Sequence, residues 1–391
     1  AGEVMYIIYT YTFYDSNVDG IGDFQGIIEK MEYIKSLGVT TVVLRCIFEV
    51  TNGIDQYQEE KTDMTKVNPN YGTMEDFENL VKVFHDNEIK VLLQNEFQRV
   101  HRGSHKWFIA SKDVNHPDHE KYKDYFYWTS STPSKAGLGM DFDSTRNEYF
   151  FGKHSQFAAY LNFRNQYVVD AIFDILVGWI NKGIDGFFFT DVGYLTVDYI
   201  LNSEGEIVDT PTNIDDNVEI WKQLLQRLRN VNDNLEFHAD FGRSPMGNFL
   251  FPPITTIGDT IKYLGAGFTN VSGVDVIRRL IEFDAHKLSA LYTQYAAYNI
   301  QNSFIFSSTD LLYISDDGKR LSTFQDTEES LLVKLRAVMT LPGIPTFIHG
   351  DELGYKSLEY AGLQRDGIFV AMNWTDEAPL FGFSTNPDAQ N

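Results

Sequence analysis

Short apolar runs and longer amphipathic stretches alternate along this chain. Extended, β-prone sequence begins almost at once, over Val4 to Phe13, and is most apolar over Val4 to Tyr11. Phe24 to Leu37 carries apolar residues at helical spacing and stops at Gly38. Val39 to Leu44 is a short buried-type strand, and Met74 to Asn87 is an amphipathic helix with Thr73 as its N-cap before Asp76. Ile89 to Leu93 is again a strand. Further on, helices are predicted over Val168 to Asn181, Val218 to Val231 and Ser330 to Leu341. Strands are predicted over Gly186 to Phe189, Leu235 to Phe237, Ser303 to Phe306 and Thr346 to His349. Short apolar strands alternating with helices predict a parallel sheet covered by helices. The repetition favours an α/β fold of the (β/α)8 TIM-barrel class over an open sheet.

Between Gln94 and about Phe150 the alternation fails. The stretch is polar and aromatic and ends near Thr129-Ser130-Ser131-Thr132-Pro133-Ser134. It predicts an inserted subdomain over 95–149, with 1–94 and 150–391 forming the barrel; long insertions in compact domains tend to be functional. The tail from Thr375 to Asn391 has no periodicity.

A net charge of −23 repels phosphate backbones and anionic lipid, which excludes nucleic acid as a partner. No apolar stretch reaches membrane-spanning length, so no membrane segment is expected in the chain. There is no charged-then-apolar leader, and any leader or anchor is expected upstream of residue 1. The single cysteine, Cys46, sits in the apolar run Thr41-Val42-Val43-Leu44-Arg45-Cys46 and is expected in the core. Two sequons, Asn270-Val271-Ser272 and Asn373-Trp374-Thr375, are candidate glycosylation sites and lean towards export.

The stretch Gly183-Ile184-Asp185-Gly186-Phe187-Phe188-Phe189-Thr190-Asp191-Val192 resembles the fourth-strand motif of the α-amylase clan of glycoside hydrolases. In that motif G-[IV]-D-G-F is followed by Arg, an apolar residue and the nucleophilic Asp. Tyr14 to Asp23, Gly72 to Phe77, His105 to Phe108 and Leu161 to Asn165 resemble the maltase and α-glucosidase branch. So do Leu341 to Pro345, Gly350 to Gly354 and Phe381 to Thr385. The same branch includes heavy subunits of heteromeric amino-acid transporters. In the family a last helix and a C-terminal β-sandwich follow, and both are expected to be missing from this chain.

At the positions the resemblance assigns to catalysis, the residues differ. Phe188 stands for the Arg and Thr190 for the nucleophile. An Asp-x-x-x-Asn-His after the third strand is replaced by Gln94 to Val100. Counting back from Gly72 puts Glu59 and Glu60 where the family has a sugar-stacking Tyr and an Asp. The acid/base Glu falls on Ala239, or on Asp240 if the register slips by one. Ser308-Thr309-Asp310 keeps only the Asp of an Asn-His-Asp. Retaining hydrolysis needs two carboxylates, and a Thr hydroxyl is a weak nucleophile without an adjacent base. Asp191 as a shifted nucleophile is disfavoured, because strand side chains alternate. The expectation is therefore that this chain is not an enzyme, with a vestigial cleft of Glu59, Glu60, Phe188, Thr190, Ala239, Asp240, Thr309 and Asp310.

The substitutions suggest two states of that cleft. Aromatic side chains fill it, or it stays open with Phe188 at an apolar floor and takes a flat, apolar small molecule. His85, His101, His105, His154, His238 and His349 show no metal-ligand spacing. One site reads as intact. Asp15, Asn17, Asp19, the Ile21 carbonyl and Asp23 stand at spacing 1, 3, 5, 7 and 9 with Gly20 at 6, an oxygen-ligand pattern for structural Ca2+ (or Mg2+). Maltase relatives hold a divalent ion in this loop.

The sequence thus favours a secreted or ectodomain protein that binds a protein partner or an apolar small molecule, as a carrier or scaffold, and that forms an oligomer in some versions of that role. The alternatives are the ectodomain of a transporter heavy chain, and an active α-glucosidase using Glu60, Asp240 and Asp310.

Overall fold

The computed structural model describes residues 2–51, 61–152, 157–240, 257–272, 284–307, 327–356, 370–376 and 381–386. Eight strands close a parallel barrel in chain order. They are β1 (Met5–Tyr9), β2 (Thr41–Arg45), β3 (Lys90–Asn95), β4 (Gly186–Phe189), β5 (Glu236–Ala239), β6 (Asn270–Ser272), β7 (Phe304–Ser307) and β8 (Ile344–Ile348). The TIM-barrel expectation holds. The sixth strand has no counterpart in the sequence reading, which took Asn270-Val271-Ser272 for a sequon.

Most helices begin at a side-chain cap that satisfies an otherwise unpaired N–H. At the helix Met74–Asp86, Thr73 and Asp76 form a reciprocal capping box. At the helix Gln166–Ile180 the cap is Asn165, and at the helix Ile214–Val231 it is Asn213. The predicted helix from Phe24 is instead two short ones, Phe24–Glu29 and Met31–Ser36, broken where Lys30 leaves helical geometry. The predicted long first strand ends at Tyr9, where a 3-10 turn, Thr10–Thr12, takes over.

Strand register sorts the side chains into two faces. Residues paired across parallel strands project to the same side. Ile7 pairs with Val43 and Ile348, and Val43 with Leu92. Gln94 and His238 pair with Phe188. Ser272 pairs with Ile305, which pairs with Ile344. This face fills the barrel: Met5, Ile7, Val43, Leu92, Phe188, Ile305, Ile344 and Ile348 make one buried cluster. The alternate residues, among them Val42, Val91, Phe187, Phe189, Phe237 and Ala239, belong to a larger cluster with the helices. Gly186 has a steric reason: a Cβ there would lie 2.0 Å from the Glu236 carbonyl oxygen of the next strand.

After β3 the chain makes a strand, Arg99–His101, that pairs antiparallel with Ala158–Tyr160. Between them lie the helix Lys106–Lys112 and a three-stranded antiparallel sheet ending at Glu148–Phe151. A third buried cluster, mostly aromatic, of Tyr127, Phe151, Tyr160, Tyr194 and Val197 joins this region to the loop after β4. Cys46 is buried, as its run of apolar neighbours predicts.

Candidate functional site

Barrels of this class bind ligands at the C-terminal ends of their strands. Continuing the inward register to that end brings in Tyr9 and Arg45, paired on β1 and β2, then Gln94 on β3 and Ser272 on β6. Thr190 and Asp240 follow the last residues of β4 and β5 and keep the alternation. The ladder continues through them: the Asp240 N–H donates to the Phe189 carbonyl at 2.8 Å, and the Val192 N–H to the Asp240 carbonyl at 3.1 Å. The Ser272 hydroxyl donates to Asp240 Oδ1 at 3.1 Å, which fixes that carboxylate inward.

This register corrects the placement of two candidate residues. Ala239 faces outward and packs in the helix-side core. The inward position at the end of β5 is Asp240, 2% exposed. Phe188 is not at the mouth but one layer below it, sealed among the barrel aliphatics, with its ring 6.3 Å from that of His238. The layer facing the mouth is therefore polar, not apolar. Two of its groups, Thr190 Oγ1 and Gln94 Oε1, are buried without a hydrogen-bond partner among the described residues. Such groups are costly unless a ligand or water serves them.

Asp191 departs from simple alternation. It lies beyond β4 in the left-handed region, φ 56°. It is buried, with Oδ2 3.5 Å from the Tyr160 hydroxyl, at the seam between the mouth and the inserted region. The spacing of Asp-x-x-x-Asn-His falls on Gln94, Gln98 and Arg99. Gln98 donates to the carbonyls of Thr190 and Asp191 at 2.7 and 2.8 Å, and Arg99 forms a buried ion pair with Glu96. Glu59, Glu60, Thr309 and Asp310 lie outside the described residues, as does His154.

His349 is fully buried between the Tyr9 N–H and the Thr12 hydroxyl, behind the mouth. Below Phe188, Glu236 bonds Lys90 and stands 3.5 Å from His238 Nε2. Burial works to raise the Glu236 carboxyl, but the neighbouring His238 ring and the hydrogen bond from Lys90 outweigh it and hold it down at about 2. Tyr9, Arg45, Gln98 and Ser272 were missed as site residues. Alternation from Ile7 and Val43 was the available signal for the first two.

The acidic loop folds around its own oxygens. Asp15 accepts the N–H groups of Val18, Asp19 and Gly20 and the Ser384 hydroxyl. Asp23 accepts from Ser16 and caps the helix from Phe24 through the Gly26 N–H. Asn17 and Asp19 are exposed and each accepts one N–H two residues on. Among the described residues no three His, Cys, Asp or Glu side chains converge as metal ligands. A cation here would depend on the Asn17 oxygen and the Ile21 carbonyl as well as on the acids.

The sequons separate. Asn270 is a buried β6 residue that donates to the Asn302 carbonyl, so it is not a glycosylation site in the folded protein. Asn373 is exposed. No described helix is long and apolar enough to cross a membrane.

The chain is 27% identical over 388 residues to alpha-amylase 3 of Dictyoglomus thermophilum, covering 96% of this chain and 68% of that protein. It is 27% identical over 384 residues to the human amino acid transporter heavy chain SLC3A1, covering 92% of this chain and 54% of that one. Over 202 residues it is 31% identical to oligo-1,6-glucosidase of Bacillus cereus, covering 49% of this chain and 35% of that protein. The chain thus spans about half the length of the heavy chain and less of the glucosidase. Among solved structures, an α-glucosyl transfer enzyme superposes with a TM-score of 0.79 at 20% identity, covering 98% of this chain and 76% of that one. Trehalose-6-phosphate hydrolase of Bacillus licheniformis gives 0.76 at 20%, with the same coverage. The expectation that this chain is not an enzyme is overturned here: its relatives and neighbours are mostly glycosidases, and nothing shows the catalytic residues lost. The family described as alpha amylase, catalytic domain, matches residues 7–386, almost the whole barrel with its insertion, and the chain belongs to that family.

Proposed function

We propose that the barrel mouth is an α-glucoside-directed site and that Asp240 is its proton donor. The observation that carries this is the inward, buried Asp240 at the end of β5, held by Ser272 in a ring of polar side chains. The two hydrogen-bonding atoms without partners, on Gln94 and Thr190, suit a ligand dense in hydroxyls. Asp191, one residue beyond Thr190 and backbone-linked to Asp240 through Val192, is the second carboxylate of this reading. The test is hydrolysis of maltose and an aryl α-glucoside by the protein and by Asp240→Asn and Asp191→Asn. A general acid contributes roughly 100- to 10,000-fold, and a loss of that order is expected for Asp240→Asn. Turnover that survives in Asp240→Asn overturns the assignment, and no turnover in the unmutated protein overturns the hydrolytic reading.

One observation favours a second reading, an extracellular partner-binding module like a transporter heavy chain. The likeness to the human transporter heavy chain runs over 384 residues and 92% of this chain. This reading expects a glycan on Asn373 and a stable complex on co-expression with an amino-acid transporter subunit. Absence of both counts against it.

A further inference from the structure

The first two carbonyls of the turn that follows β4 are held by one side chain, while Trp221 and Asn217 hold the next two. Gln98 is 2% exposed, and its Nε2 donates to two successive carbonyls, Thr190 at 2.7 Å and Asp191 at 2.8 Å. Its main-chain carbonyl accepts the Leu161 N–H at 2.7 Å, which anchors the start of the inserted region, where Gln98 lies, to the chain that leaves it. Between those two carbonyls the backbone turns left-handed at Asp191. Asp tolerates that conformation better than most residues with a Cβ, and the two hydrogen bonds from Gln98 hold the turn in it. The left-handed turn has two consequences at the mouth. It aims Asp191 at Tyr160, and it presents the Val192 N–H to the Asp240 carbonyl at 3.1 Å.

We propose that Gln98 is a positioning residue: its amide locks the Thr190–Asp191 turn and so sets Asp191 and Asp240 relative to one another. Only an amide fits the task. Both of its N–H groups are used, and a carboxylate of the same shape would face two carbonyl oxygens with no proton to give. The inserted region thereby enters the site through its backbone anchor, without touching the ligand. The kinetic consequence rests on the α-glucoside reading; the structural one does not.

The test uses Gln98→Met, which keeps length and volume but removes the donor, and Gln98→Glu, which keeps shape and reverses the polarity. Two quantities are read: kcat and KM on an aryl α-glucoside, and amide hydrogen exchange by peptide. Small displacements in a catalytic site cost up to about a hundredfold, so kcat is expected to fall at least about tenfold in both variants while KM stays within about twofold. Exchange is expected to quicken over residues 189–194 and to stay unchanged over β1. Unchanged kcat with unchanged local exchange in Gln98→Met overturns the proposal. So does exchange that quickens equally in β1, which marks a general packing role. Should the unmutated protein show no turnover, the α-glucoside reading fails alone, and the exchange comparison still decides the role of Gln98.

Discussion

The Ser272 hydroxyl on β6 donates to the carboxylate of Asp240 at the end of β5, 3.1 Å away, with both side chains buried. Two neighbouring strands thus cooperate to point one acid into the barrel mouth. Ser272→Ala removes that donor and leaves the carboxylate with one fewer partner. Turnover is expected to fall severalfold, well short of the effect of Asp240→Asn. Stability should drop by about 1 kcal/mol, the usual net worth of one hydrogen bond, read from urea unfolding. A Ser272→Ala protein as impaired as Asp240→Asn would mean that Ser272 acts directly on the ligand.

Thr190 gives a prediction of the opposite sign. Its hydroxyl is buried without a partner among the described residues. Valine has nearly the same shape and no polar group to desolvate. In the absence of ligand, Thr190→Val should stabilise the fold by about 1 kcal/mol. Maltose affinity, measured by calorimetry, should fall in the same variant, because the ligand loses a hydroxyl partner. Destabilisation by Thr190→Val would show that a bound water or an undescribed residue already serves that hydroxyl.

How much of this was legible beforehand depends on the residue. The strand Gly186–Phe189 and the cap at Thr73 follow from local pattern and appear where the sequence puts them. Asp240 and Ala239 were left as alternatives because alternation fixes a face only relative to neighbouring strands. The pairing of His238 with Phe188 settles it. Asn270 misled because a sequon says nothing about burial, and a three-residue strand is too short to show a period. Asp191 was set aside by the alternation argument, which does not apply once the backbone turns left-handed beyond the strand.

The acidic loop carries its own proposal, a Ca2+ or Mg2+ ion held by Asp15, Asn17, Asp19, the Ile21 carbonyl and Asp23. Three carboxylates lie within nine residues here, and a cation would relieve their mutual repulsion. Ser384 and Phe383 bond Asp15 from the C-terminal side, so an ion would also secure that contact. Millimolar Ca2+ or Mg2+ is expected to raise the melting temperature relative to chelator, with the shift growing with ion concentration. Asp19→Ala should abolish the shift. Equal melting temperatures in chelator and in either ion would remove the proposal.

Two groups, buried His105 and half-buried Glu236, make the fold sensitive to acid in the same direction. His105 caps the helix from Lys106, accepting the Trp107 N–H on Nδ1. Burial, with Lys106 adding to it, pushes its imidazole down from 6.5 to about 3. Folded His105 therefore stays neutral where the unfolded chain already takes a proton. Its contribution is complete above pH 6.5 and is lost as pH falls towards 3, at about 1.4 kcal/mol per pH unit while the states differ by one proton. Glu236 is depressed instead as an acid, from 4.5 to about 2, so its contribution is complete above pH 4.5 and is lost below it. Stability should be flat near neutrality, decline below pH 6.5 and steepen below 4.5. His105→Gln keeps an acceptor for the cap without a titrating ring, and should flatten the decline from pH 6.5 down towards 3, including the whole of the limb above 4.5. Glu236→Gln should flatten only the part below 4.5. Urea midpoints across that range decide it: an unchanged pH slope in His105→Gln would show that other groups set the upper limb.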